Sequence, residues 1–166
     1  MWNDTLAYLI TFRSYGTWLH GDKRGSIDRF HNRYRSPYLP RSDRRLARSQ
    51  ALLKRCPVVL NPAQRRSISR AIREVCGCRH WPLHALNVRT NHVHAVVSSG
   101  TTGAEDVRSA FKAYATRKMR KNGTWAEAHT PWALRGSSRC LWNEESIARA
   151  IDYVINGQGD DLPDFD

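Results

Sequence analysis

Seven segments of alternating hydrophobic period, in the order strand, helix, strand, strand, helix, strand, helix, predict an α+β domain. The first six follow the split βαβ order of a ferredoxin-like antiparallel sheet, and the seventh adds a C-terminal helix. Two further observations favour one folded domain over residues 1–166. Hydrophobic content of 40% with six Trp argues against disorder, and no break in composition divides the chain.

Residues 5–13 (TLAYLITFR) are rich in β-branched and aromatic side chains and apolar enough for a central strand, closed by the turn Ser14-Tyr15-Gly16-Thr17. A long basic insertion follows at about 18–57, in which 42–55 can be helical; a connection of this length is more often functional than a plain linker. The next helix opens with Asn61 as N-cap, Pro62 behind it and Gln64 at the third position. It carries the stripe Ile68, Ala71, Ile72 and Val75, and is expected to end at Gly77. Strands at 83–89 and 92–98 meet at a tight turn, Thr90-Asn91. A helix over 104–121, a Gly/Trp-rich connection, a short strand near 139–142, a helix over 144–156 and an acidic tail at about 159–166 complete the chain.

Charge is heavily one-sided. Lys and Arg number 27 against 15 Asp and Glu, and four of the acids, Asp160, Asp161, Asp164 and Asp166, lie in the tail. Most of the cations are Arg, whose planar fork suits bidentate phosphate contacts, so the expected partner is a nucleic acid. The insertion alone carries Arg33, Arg35, Arg41, Arg44, Arg45, Arg48, Lys54 and Arg55 in its second half, opposed by Asp43. No apolar run approaches the ~18 residues of a membrane helix, and Met1-Trp2-Asn3-Asp4 lacks the start of a signal peptide, so the expected location is cytoplasmic, with no membrane partner. The four cysteines lack the spacing of a disulfide framework. Cys76-Gly77-Cys78 with His80 and His84 also lacks the separated ligand pairs of a structural zinc site.

Asn91-His92-Val93-His94 heads the strand at 92–98. Residues i and i+2 of a strand share a face, so both imidazoles project to one side while Val93, Ala95 and Val97 take the other. Two imidazoles on a rigid edge suit a divalent ion that needs a third ligand and leaves positions open for substrate oxygens. A solvated polar face is the plainer alternative.

Phosphodiester chemistry also needs a nucleophile, and two helical tyrosines are available. Tyr114 falls with Val107, Ala110, Phe111 and Ala115 on an apolar stripe and is expected in the core. Tyr153 lies roughly 110° from the centre of the stripe Ile147, Ala150, Ile151 and Val154, on the side of Arg149 and Asn156, and is expected to reach outward.

His92-Val93-His94 on a strand, followed by Ala150-Ile151-Asp152-Tyr153-Val154-Ile155-Asn156-Gly157-Gln158 at the end of a helix, resembles the single-tyrosine HUH transposases, including the REP-associated tyrosine transposases. The resemblance runs from the first strand to Gln158. It implies that His92 and His94 hold Mg²⁺ or Mn²⁺, that the metal polarises the scissile phosphate, and that Tyr153 attacks phosphorus to leave a 5′-phosphotyrosine and a free 3′-hydroxyl on single-stranded or hairpin DNA. Because a phenol is protonated at neutral pH, metal and cationic neighbours such as Arg149 must favour the phenolate. The family's third ligand commonly sits four residues after the tyrosine, and here that position is Gly157. A helix ending at Gly157 can swing Gln158 back to the metal, which makes Gln158 the expected third ligand, or water can fill that position.

The resemblance also implies a homodimer that pairs through sheet edges and exchanges the tyrosine helix, with 123–138 as the flexible lead. DNA contacts are expected from Arg41, Arg44, Arg45 and Arg48 as well as Arg149. Two other readings suit the same charge: a non-catalytic basic module for structured DNA or RNA, and a host-retained HUH single-strand endonuclease.

Overall fold

The computed structural model describes residues 5–23 and 39–159. Arg33, Arg35 and the acids of the tail lie outside them. The chain forms two compact units, Met1–Ser14 with Val59–Asp166, and Tyr15–Val58.

The larger unit is built on one antiparallel sheet of β1 (Ala7–Ser14), β2 (Leu83–Val88), β3 (His92–Val97) and β4 (Trp132–Leu141), in the order β2-β3-β1-β4. Joined by α2 (Pro62–Cys78) and α3 (Ala104–Lys121), the strands give the ferredoxin-like arrangement expected, and α4 (Glu144–Asn156) is the added helix. β3 is central and apolar on one side through Val93, Ala95 and Val97, which are all fully buried. Ile10 and Phe12 of β1 share that face by register. The fully buried Ile68, Ile72 and Val75 of α2 and Phe111, Ala115 and Met119 of α3 complete this half of the core. On the opposite face, Ala150 and Val154 of α4, with Ile147 and Ile151, pack on Ala7, Leu9, Ala85, Val96 and Leu141.

Local chemistry sets the helix ends. Asn61 Oδ1 accepts from the Gln64 backbone N–H while Gln64 Oε1 accepts from the Asn61 N–H, a reciprocal cap. Asn143 and Ser146 repeat the device on α4. Contrary to expectation, α2 runs through Gly77 to Cys78. The left-handed residue that ends it is His80, with φ 54°, and the Trp81 N–H closes on the Cys76 carbonyl.

Two further expectations are corrected. β4 starts at Trp132, not near 139, because Trp132 buries its ring edge-on to Phe12 at 4.9 Å and gives its indole N–H to Thr116 Oγ1 at 3.0 Å. The Gly and Ser residues that follow have low strand propensity, which hid the strand. The second half of 123–138 is therefore part of the sheet. Tyr114 is only half-buried, at the flank of the α3 stripe, with the Arg117 guanidinium 5.0 Å over its ring.

The smaller unit holds α1 (Asp43–Ala51), capped by Ser42, whose hydroxyl accepts from the Arg45 N–H. The Lys54 N–H donates to the Tyr15 hydroxyl, and the Arg55 guanidinium lies 4.3 Å over the Tyr15 ring.

Candidate active site

Strand alternation puts His92 and His94 on the face that α4 covers, and α4 stops where the apolar residues of that face stop. The next row of side chains is polar: Thr11 of β1, His94 of β3 and Asn87 of β2 are paired side by side. Beyond it, Arg13 pairs with His92. The site therefore sits at the junction of the last turn of α4 with the polar end of the sheet face.

The two imidazole rings are 4.7 Å apart, and the Tyr153 ring meets His94 edge-on at 5.4 Å. His94 is 6% exposed and Tyr153 46%. The tyrosine thus has one flank against the histidine and the other open. His92 Nδ1 is 2.6 Å from Asn91 Oδ1, His92 Nε2 is 3.2 Å from Gln158 Oε1, and His94 Nδ1 is 2.7 Å from Thr11 Oγ1. Burial, joined by the neighbouring His92, holds the His94 imidazole down at about 4 although Gln158 pulls it upward, so the ring is neutral near pH 7.

The turn after α4 is shaped for this convergence. Gly157 donates its N–H to the Tyr153 carbonyl at 3.0 Å, and the Gln158 side-chain amide donates to the same carbonyl at 2.9 Å. A Cβ on residue 157 would stand 2.7 Å from that carbonyl oxygen and 3.1 Å from the Tyr153 ring. Glycine there clears the tyrosine and lets the next residue turn back. Asn87 Nδ2 donates to the Val154 carbonyl at 2.9 Å, tying the same turn to β2.

The donor set fits a divalent cation. A neutral imidazole has one N–H, yet His92 lies between two amide oxygens, Asn91 Oδ1 and Gln158 Oε1. With the N–H given to the shorter contact, lone pairs of Nε2 and Oε1 face each other, and Gln158 is held in that orientation by its bond to the Tyr153 carbonyl. A cation shared by the two atoms would satisfy both, as would a donor proton on Nε2. The Nδ1 contacts to Asn91 and Thr11 leave the Nε2 atoms as the ring nitrogens that could serve a metal. Among the described residues no three His, Cys, Asp or Glu side chains form a metal-binding group. Cys76 is buried, which pushes its thiol up to about 11, and Cys78 is exposed.

His92, His94, Gln158 and Tyr153 are thus brought together. Arg149, one turn before Tyr153, is exposed and faces Glu145 at 3.3 Å. Arg41, Arg44, Arg45 and Arg48 belong to the smaller unit. Arg41 bonds Asp43, Arg45 bonds the Pro40 carbonyl, and Arg44 and Arg48 are exposed. Thr11, Asn87 and Asn91 were not anticipated. Asn91 stands beside the histidines in sequence, whereas Thr11 and Asn87 join them only through strand pairing.

No protein-family model matches the chain, and no curated protein does. Among solved structures, a REP-associated tyrosine transposase bound to a REP hairpin superposes on 90% of this chain with a TM-score of 0.50 at 14% identity, and the match spans 64% of that protein's chain. A candidate transposase from Deinococcus radiodurans matches 91% of this chain and 89% of its own at a TM-score of 0.47 and 14% identity. At such identity the likeness is one of architecture: the chain has the fold of the REP-associated tyrosine transposase.

Proposed function

We propose that this protein is a metal-dependent DNA transposase that cleaves and rejoins single-stranded or hairpin DNA through a 5′-phosphotyrosine on Tyr153. The observation that carries the reading is the convergence of His92, His94 and Gln158 beside a half-exposed Tyr153, whose ring lies 5.4 Å from His94. The shared fold and the REP hairpin held by the solved relative support DNA as the substrate class.

His92, His94 and Gln158 would hold Mg²⁺ or Mn²⁺, which when bound would act as a Lewis acid on a non-bridging phosphate oxygen. Tyr153 Oη bonds to phosphorus as its proton passes to solvent, the P–O3′ bond breaks, and the departing oxygen takes a proton to become a 3′-hydroxyl. One phosphoester replaces another, so the energy of the bond is retained for rejoining. Arg149, exposed one helical turn before Tyr153, would contact a DNA phosphate. α4 packs on the sheet of its own chain.

The test uses hairpin DNA with a single-stranded flank, labelled on either side of the break and incubated with Mg²⁺ or Mn²⁺. The label on the 3′ side should travel with denatured protein, and the other fragment should end in an extendable 3′-hydroxyl. Metal-dependent binding without cleavage on any such substrate would instead favour a basic module for structured nucleic acid.

A further inference from the structure

We propose that Thr11 and Asn87, the two residues paired with His94 across the sheet, are positioning residues for the metal-dependent tyrosine chemistry proposed above: Thr11 orients the His94 ring, and Asn87 holds the helix end that presents Tyr153. The register places Thr11, His94 and Asn87 in one row of three strands on the face that α4 covers. The preceding row, Leu9, Val96 and Ala85, is apolar and binds α4 through packing alone. Packing fixes distance loosely, and hydrogen bonds add direction. The change from apolar to polar thus coincides with the start of the site.

Each neighbour acts on a different partner. A His94 ring that gives Nε2 to a cation carries its proton on Nδ1, and Thr11 Oγ1, at 2.7 Å, accepts it. That bond fixes the ring's rotation and tautomer from inside the sheet. Asn87 reaches the other way. The last carbonyls of a helix lack partners within it, and Asn87 Nδ2 caps that of Val154 at 2.9 Å, while the Tyr153 carbonyl, already bonded to the Gly157 N–H, also accepts from Gln158 Nε2 at 2.9 Å. The final turn of α4 is therefore held by one side chain from the sheet and one from the proposed ligand set.

The two roles separate by experiment. Thr11→Val keeps the shape and removes the acceptor. It should weaken Mn²⁺ binding to the DNA-free protein roughly 10- to 100-fold, and Thr11→Ser should restore it. Asn87→Leu should bind Mn²⁺ like wild type yet form the covalent DNA adduct roughly 10- to 100-fold more slowly at saturating Mn²⁺ and DNA. The proposal is overturned if Thr11→Val binds Mn²⁺ as wild type does, if Asn87→Leu reacts at the wild-type rate, or if both variants lose both properties along with melting temperature. In those cases a reactive wild type leaves the transposase reading standing. A wild type that forms no metal-dependent adduct removes that reading and this proposal together.

Discussion

At the scale of single residues, His94 has the clearest consequence. Burial beside His92 lowers its folded value to about 4 from an ordinary 6.5, so protonation is disfavoured in the folded protein. The metal-free protein therefore has this contribution in full above pH 6.5 and loses it as pH falls toward 4, where the unfolded chain binds the extra proton. The loss should reach on the order of 3 kcal/mol, read as urea unfolding free energies between about pH 7 and about pH 4, with His94→Gln giving a shallower slope. Equal slopes would mean that His94 titrates normally. Strand and helix periods placed His92 and His94 on one face and Tyr153 off the apolar stripe, and the family resemblance joined them into one candidate site. Thr11 and Asn87 were not legible, since their bonds to His94 and α4 depend on pairing between distant segments. Gln158 was readable only through the helix stop at Gly157.

At the scale of elements, two close approaches and one cap carry predictions. A Cβ at Gly136 would stand 2.4 Å from the Thr11 carbonyl oxygen and 2.7 Å from Arg108 Cδ, so Gly136→Ala must push β4 away from β1 beside the site. A lowered melting temperature and weaker Mn²⁺ binding are expected; an unchanged protein would show that this strand pair yields freely. Gly157→Ala should disturb Tyr153 and Gln158 while sparing the fold, visible as slower adduct formation at constant melting temperature. Asn61→Ala breaks the reciprocal cap of α2 and should cost about 1 kcal/mol, with no effect on cleavage by folded protein. The strands at 83–88 and 92–97 and the helices at 104–121 and 144–156 were legible because strong periodicity and caps agree there. β4 was not, because Gly and Ser residues are carried into the sheet by pairing with β1 and by the buried Trp132. Tyr114 was misjudged because a stripe has flanks, where a ring can face Arg117 and not the core.

For the whole molecule, a 27-to-15 excess of basic over acidic residues predicts DNA binding through the phosphate backbone. Neutralising Arg41, Arg44, Arg45 and Arg48 together should flatten the dependence of log affinity on log salt by about 0.7 for each phosphate of a single strand that these side chains no longer neutralise. An unchanged slope would move the footprint elsewhere. The central claim concerns Tyr153 as the nucleophile, and it is tested most directly by incubating wild type and Tyr153→Phe with labelled hairpin DNA and Mn²⁺ and looking for protein joined to DNA after denaturation. Wild type should give the covalent species, with the nucleotide on the peptide containing Tyr153, and Tyr153→Phe should give none while keeping its melting temperature and DNA affinity. An equal yield of adduct from Tyr153→Phe would contradict the account.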